Sequence, residues 1–334
     1  MTTTQTEPAA PDTLRKRGGA ALLRGKEAGV VGAVVVAFAV FSLGNANFAG
    51  VSNLQTMGVD LAQYGLLALG VSFVIITGGI DLSVGSVVAL SGVWSAWLNV
   101  HAGLPDLVAI AVALLTGTVI GLLHGLSVTI LGVPPFVTTL VTLVAARGAA
   151  LALTQGFPID GIGATFTNIA QSRLAGIPAP ALLFVGACVV AWFFLERTHF
   201  GRQLYAVGGN PEAARLAGIR TRRRIVLAYV VSSVLASAVG VLVTARLTVG
   251  QPSVATGWEL NAIAAAVIGG ISLSGGVGRV LGVAFGAILL VCINSGLVIL
   301  HVSPYYQQIV LGAVLAVAVV TDRLRARRSE RDQT

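Results

Sequence analysis

Asp81 stands inside ITGGIDLSVGSVVALSG, residues 76 to 92, an apolar stretch in which a carboxylate needs a reason. At the centre of a membrane helix a charged side chain costs about 2.5–3.5 kcal/mol. The cost falls if the helix is interrupted there. Gly78 and Gly79 are poor helix formers, and glycine takes a positive φ freely, so the chain can break at this point. A new helix starting at Leu82 would make Asp81 its N-cap, accepting from free backbone N–H groups at the positive end of the dipole. Ser83 and Ser86 add hydroxyls in the first turns. Such breaks are tolerated at membrane depth where they are packed in protein or line a watery cavity. Two readings of Asp81 follow: a purely structural cap, or a group on a solute pathway.

The phrase recurs. IGGISLSGG (268–276) matches TGGIDLSVG (77–85) at six of nine positions, with Ser272 in place of Asp81. Paired glycine-interrupted segments in two halves of a chain point to the central pathway of a transporter. Small residues that let helices approach closely are the alternative. On the first reading Asp81, Ser83, Ser86, Ser272 and Ser274 line the pathway, and Gln63, Thr138, Thr142, Asn261 and Asn294 are further candidates.

Other chemistry is not written here. GGAALLRGKE is the nearest approach to a phosphate-binding loop, but Glu27 follows Lys26 and the glycine spacing is wrong. No zinc-protease histidine pair or nucleophile elbow occurs. His101, His124, His199 and His301 are scattered, and Cys188 and Cys292 lie in apolar runs, which implies neither a metal nor a disulfide framework.

The elements that position these residues are membrane helices. The 334 residues are 55% hydrophobic and 10% charged, with a mean hydropathy of +0.89. The expected fold is an all-α, polytopic transmembrane bundle. About ten apolar runs are long enough, at roughly 28–43, 54–77, 80–100, 106–131, 134–154, 178–195, 225–249, 259–274, 279–300 and 304–321. A β-barrel is disfavoured because the runs do not alternate. Of the 21 basic residues, 17 fall in the N-terminal tail, the segment 196–224 and the C-terminal tail. With ten spans all three lie on one side, which the positive-inside rule makes cytoplasmic. The net charge of +8 is therefore a topology signal and not a nucleic-acid interface. The expected organisation is a disordered tail at 1–27, a transmembrane domain at 28–322 with a retained first span, and a basic tail at 323–334.

Within 196–224, NPEAARLAG reads as a complete short helix. Asn210 is a good N-cap, Pro211 fits the first position, Glu212 suits the dipole, and Gly218 supplies the left-handed stop. Its small residues, Ala214 among them, form a face suited to a partner's groove. A basic loop lying on anionic headgroups is the other reading.

GGIDLSVGS, GRQLYAVGGNPEAARLAGI, ARLTVGQPSVATGWELNAIAAAVIGGISLSGGVGRVLG and SPYYQQIVLGAVLAVAV resemble the membrane permease subunit of bacterial sugar ABC importers of the ribose/xylose type, related to branched-chain amino acid permeases. The similarity runs from about residue 45 to 321. It implies a permease of the bacterial inner membrane, without an ATPase site or cofactor of its own, importing a monosaccharide. The implied partners are a second permease subunit, a cytoplasmic ATPase that uses the ATP, and an extracytoplasmic sugar-binding protein. Gly208, Asn210, Ala213, Ala214 and Gly218 match the family's ATPase-coupling loop. Family members often carry Tyr and Asp where this chain has Trp258 and Asn261. The alternative is an ion-coupled carrier using Asp60, Asp81, Glu259 and Arg147, although these do not cluster along one helix.

Overall fold

The computed structural model describes residues 25–331, with side chains described over 28–320 except at position 318; the tail expected at 1–27 lies almost wholly outside them. The chain is built of helices: α1 (Gly25–Gly44), α2 (Val51–Ile76), α3 (Val84–Val100), α4 (Asp106–Thr129), α5 (Pro135–Thr154), α6 (Ala164–Gln171), α7 (Ala179–Trp192), α8 (His199–Gly209), α9 (Pro211–Leu216), α10 (Thr221–Leu247), α11 (Trp258–Ile268), α12 (Val280–Ile299) and α13 (Pro304–Arg331). Among the described residues six are long and apolar enough to cross a membrane, counting α7 with the π-turn that extends it to Arg197, and three shorter apolar helices cover 28–44, 84–100 and 258–268. Residues 323–331, in the segment expected as the basic tail, are helical and continue α13.

Among the described residues the only sheet is a hairpin, β1 (Arg173–Leu174) on β2 (Ile177–Pro178). Its turn residues Ala175 and Gly176 both have positive φ, as a two-residue hairpin loop requires.

Helix α2 is the axis of the bundle. Every residue from Gly65 to Ile76 is buried, so this half of the helix is apolar all round because protein surrounds it. Helix α10 packs beside it and against α3 and α4. The contact with α4 is written in small residues at four-residue spacing: Ala109, Ala113, Gly117, Gly121 and Gly125 are all buried. A Cβ on Gly121 or Gly125 would meet the α10 backbone at Val230 or Val226. Close backbone approach of this kind is how helices associate in lipid, where exclusion of water supplies no drive.

Candidate functional site

Both glycine phrases interrupt helices. Helix α2 ends in a Schellman turn: the Gly78 N–H donates to the Ile75 carbonyl and the Gly79 N–H to Val74, with Gly78 at φ +83°. Helix α11 ends the same way through Gly270, at φ +91°, and Ile271. Gly78 thus corresponds to Gly270, one residue out of step with the sequence match, which paired Gly78 with Gly269.

The first interruption places Asp81 differently from expectation. Helix α3 begins at Val84, not Leu82, and Asp81 lies outside its N-cap. Its Oδ1 accepts from the Ser83 N–H at 2.9 Å and the Ser83 hydroxyl at 2.6 Å. Its Oδ2 accepts from the Ser232 hydroxyl of α10 at 2.7 Å. The side chain closes an Asx turn and also staples the interruption to α10. Asp81 is wholly buried. Ser86 donates to the Ser83 carbonyl at 2.7 Å, and the Thr139 hydroxyl of α5 reaches the Ile80 carbonyl at 3.2 Å. Thr142 pairs with His124 Nε2 at 2.7 Å, and the His124 ring packs edge-on to Tyr229. Asp81, Ser83 and Ser86 therefore belong to one buried polar network at the end of α2. The Ser232-Ser233 pair inside the apolar run of α10 was the available sign of Ser232's role.

The second interruption carries Ser272 and Ser274, whose hydroxyls are 2.9 Å apart; Ser272 is half-buried and Ser274 exposed. The two interruptions touch through backbone: the Gly276 N–H donates to the Ile76 carbonyl at 2.9 Å. Helix α8 closes over this junction. A Cβ on Gly208 would overlap the Ile76 carbonyl and the Gly276 amide, and one on Gly276 would collide with Gly209. Tyr205 donates its hydroxyl to the Gly278 carbonyl at 3.0 Å. Burial, with Glu196 nearby, pushes the Tyr205 pKa up to about 12. Glu196 Oε1 accepts from the Val280 N–H, the first of α12, at 3.4 Å.

Helix α9 follows as written in its capping residues. Asn210 Oδ1 accepts from the Glu212 and Ala213 N–H groups at 3.1 and 2.9 Å. Gly218 takes φ +81° while the Ile219 N–H reaches back to the Ala214 carbonyl. One expectation is corrected. Ala214 is buried against its own chain at 5% exposure, whereas Ala213, Leu216 and Ala217 point outward, Leu216 at 81%. The phase of a six-residue helix is set by what lies beneath it, and composition did not reveal that.

Asn261 lies elsewhere. It is buried on α11 beside Tyr64, whose ring packs on Trp258 at 4.8 Å. On this flank of α2, Arg246 from the end of α10 pairs with Asp60 and also donates to Gln63 at 3.2 Å. Next to the pair opens a cavity of about 530 Å³ whose polar walls include Gln55, Thr56, Gln171, Arg173 and Arg246. It lies at the opposite end of α10 from Arg222, Arg223 and Arg224. Arg147 ties the irregular chain before α11 in place, donating to the Pro252, Val254 and Gly85 carbonyls at 2.8, 2.7 and 3.3 Å. Thr138 meets Ser127 at 3.2 Å near the polar network, and Asn294 lies on α12.

The family described as "Branched-chain amino acid transport system / permease component" matches residues 53–319, most of the chain. The chain belongs to that family. It is therefore a membrane permease component, a transport subunit rather than an enzyme. This permease is 40% identical to the ribose import permease protein of Bacillus subtilis over 289 residues, 86% of this chain and 89% of that protein. It is 39% identical to the ribose import permease protein of Escherichia coli K12 over 297 residues (87% and 91%), and 36% identical to the D-allose transport system permease protein of the same organism over 292 residues (87% and 90%). No solved structure matches.

Proposed function

We propose that this permease forms the translocation pathway of an ATP-driven importer of a pentose or related monosaccharide. The relatives named for ribose and allose support the substrate class. The partners we assign are a second permease subunit, an ATPase beneath the segment 196–224, and an extracytoplasmic binding protein that delivers the sugar. Taking the three shorter apolar helices and α13 as spans with the six long ones gives ten, and puts both chain ends on the cytoplasmic side with the basic segment.

The observation that carries this reading is the seat of α8. Helix α8, joined to the capped α9 through one extended residue, Asn210, touches both interruptions at once, through Gly208, Gly209 and Tyr205. A push delivered to α9 would therefore reach the ends of α2 and α11 and the start of α12 across a link of a single residue, whose side chain is itself fixed as the α9 cap. The outward residues Ala213, Leu216 and Ala217 are the face we assign to the ATPase. The cavity beside Arg246 has the size of a small-molecule site and lies at the end where the binding protein would release its sugar.

The test is uptake of labelled ribose and allose into proteoliposomes holding the permease, its ATPase and the binding protein. Uptake should require ATP on the ATPase side and should ignore protonophores and sodium ionophores. Uptake that survives without ATP and collapses with the ion gradient would establish the carrier alternative instead.

A further inference from the structure

Helices α2, α7 and α10 enclose a groove of about 550 Å³ on the outer surface of the bundle, lined by apolar side chains. Leu69 and Phe73 form its floor, Val190 and Phe194 one wall, Val231 and Val234 the other. Leu227 and Leu235 bound the stretch of α10 that lines it, about 12 Å at 1.5 Å per residue. One leaflet of a hydrocarbon core of about 30 Å is about 15 Å deep. The groove is thus nearly one leaflet long.

Cations gather at one end of the groove. Phe200 lines it there, and the Arg224 guanidinium lies over the Phe200 ring at 5.2 Å. Arg224 is held by one bond, Nε to Gln203 Oε1 at 2.7 Å, so its planar Nη edge points away from that tether. Arg223 is exposed one turn before Leu227, on the same face of α10. Arg197 stacks on Trp192 of α7 at 4.8 Å. Glu196, beside Arg197 in the sequence, turns its carboxylate to the Val280 N–H, and Glu212, the nearest acid before Arg223 and Arg224, pairs with Arg215. The salt bridges among the described residues, Arg215–Glu212 and Arg246–Asp60, leave these three arginines out.

We propose that this groove is a binding site for one anionic phospholipid of the cytoplasmic leaflet. An acyl chain lies between α7 and α10 on α2, and the phosphodiester is held by Arg224, Arg223 and Arg197. Charge and length choose the occupant. An uninterrupted apolar slot offers nothing to a polar partner, and three arginines at its headgroup end favour a net negative phosphate over a zwitterion. The bound lipid would brace α8 from outside, because Gln203 and Phe200 sit on the same helix as Gly208. The site does not depend on which solute the permease carries.

The test uses the full-length chain purified in a mild detergent, titrated with palmitoyl-oleoyl phosphatidylglycerol or with the matching phosphatidylcholine, and read by native mass spectrometry. Wild type should retain one phosphatidylglycerol at concentrations where phosphatidylcholine is stripped. Arg223→Gln with Arg224→Gln should weaken retention about twenty-five-fold, about fivefold for each arginine. Val190→Trp, at a position already 55% exposed, should fill the slot and abolish retention with the arginines intact. Equal retention of both lipids by wild type overturns the site without any variant. Loss in the arginine variant with none in Val190→Trp would mean diffuse headgroup attraction and also overturns it. So would efficient cross-linking of Val190→Cys between two copies in membranes, which would make the groove a protein interface.

Discussion

Replacing Asp81 by leucine strands three groups that the carboxylate now satisfies. They are the Ser83 N–H, a buried backbone donor at 2.9 Å, the Ser83 hydroxyl at 2.6 Å and the Ser232 hydroxyl of α10 at 2.7 Å. A buried donor left without an acceptor costs about 1–3 kcal/mol. The Ser232 hydroxyl can rotate toward a carbonyl of its own helix, as Ser91 does toward Val87 at 2.7 Å. The Ser83 N–H has no such freedom. Asp81→Leu should therefore destabilise the permease by roughly 1–3 kcal/mol from that donor, and by more if the α10 staple is also lost. Asp81→Asn should stay close to wild type, because the amide oxygen still accepts from Ser83 and the amide nitrogen can donate to Ser232. Ser232→Ala should fall between them. Unfolding of the detergent-solubilised chain gives the stability order, and sugar uptake at equal protein level gives the functional one. Wild-type behaviour of Asp81→Leu in both assays would refute this account. Equal damage from Asp81→Asn and Asp81→Leu would show that the negative charge itself, and not its acceptor geometry, is required.

Gly208→Ala should wedge the Gly276–Ile76 bond apart at a typical overpacking cost of about 1–3 kcal/mol, and sugar-stimulated ATP hydrolysis should be lost while the protein still inserts. Asn210→Ala should cost about 1 kcal/mol of cap energy and weaken co-purification of the ATPase, whereas Asn210→Ser should leave it nearly unchanged. Ala213→Arg should abolish ATPase co-purification without altering the unfolding of the permease alone, while Ala214→Arg should lower that unfolding midpoint as well, since its site is buried. Arg147→Lys should lower uptake with the ATPase still attached, because a compact ammonium cannot span the Pro252, Val254 and Gly85 carbonyls as a planar fork does; normal uptake would show that the loop holds itself.

The features legible in the sequence are those whose cause is local. A glycine that ends a helix, an asparagine that starts one, and a run of apolar residues long enough to cross a bilayer each act within a few residues of where they stand. So the interruptions at 77–83 and 269–279, and the bounds of α9, lay within reach of sequence reasoning. The partners of those features were not. Asp81 could be placed beside a helix start, but Ser232 lies 151 residues away and only the packing of α10 on α2 brings it there. The Arg147 bonds left no trace because every acceptor is a backbone carbonyl, which any residue type supplies. The same holds for Tyr205 on Gly278 and for Gly276 on Ile76. Even the glycine match misled by one residue, because identity aligned the letters while the Schellman turns align through hydrogen bonds to Val74 and Ala266. In this permease the contacts joining α8 to both interruptions run largely through main chain and glycine, so substitutions that add a side chain at that junction test the coupling more directly than substitutions that remove one.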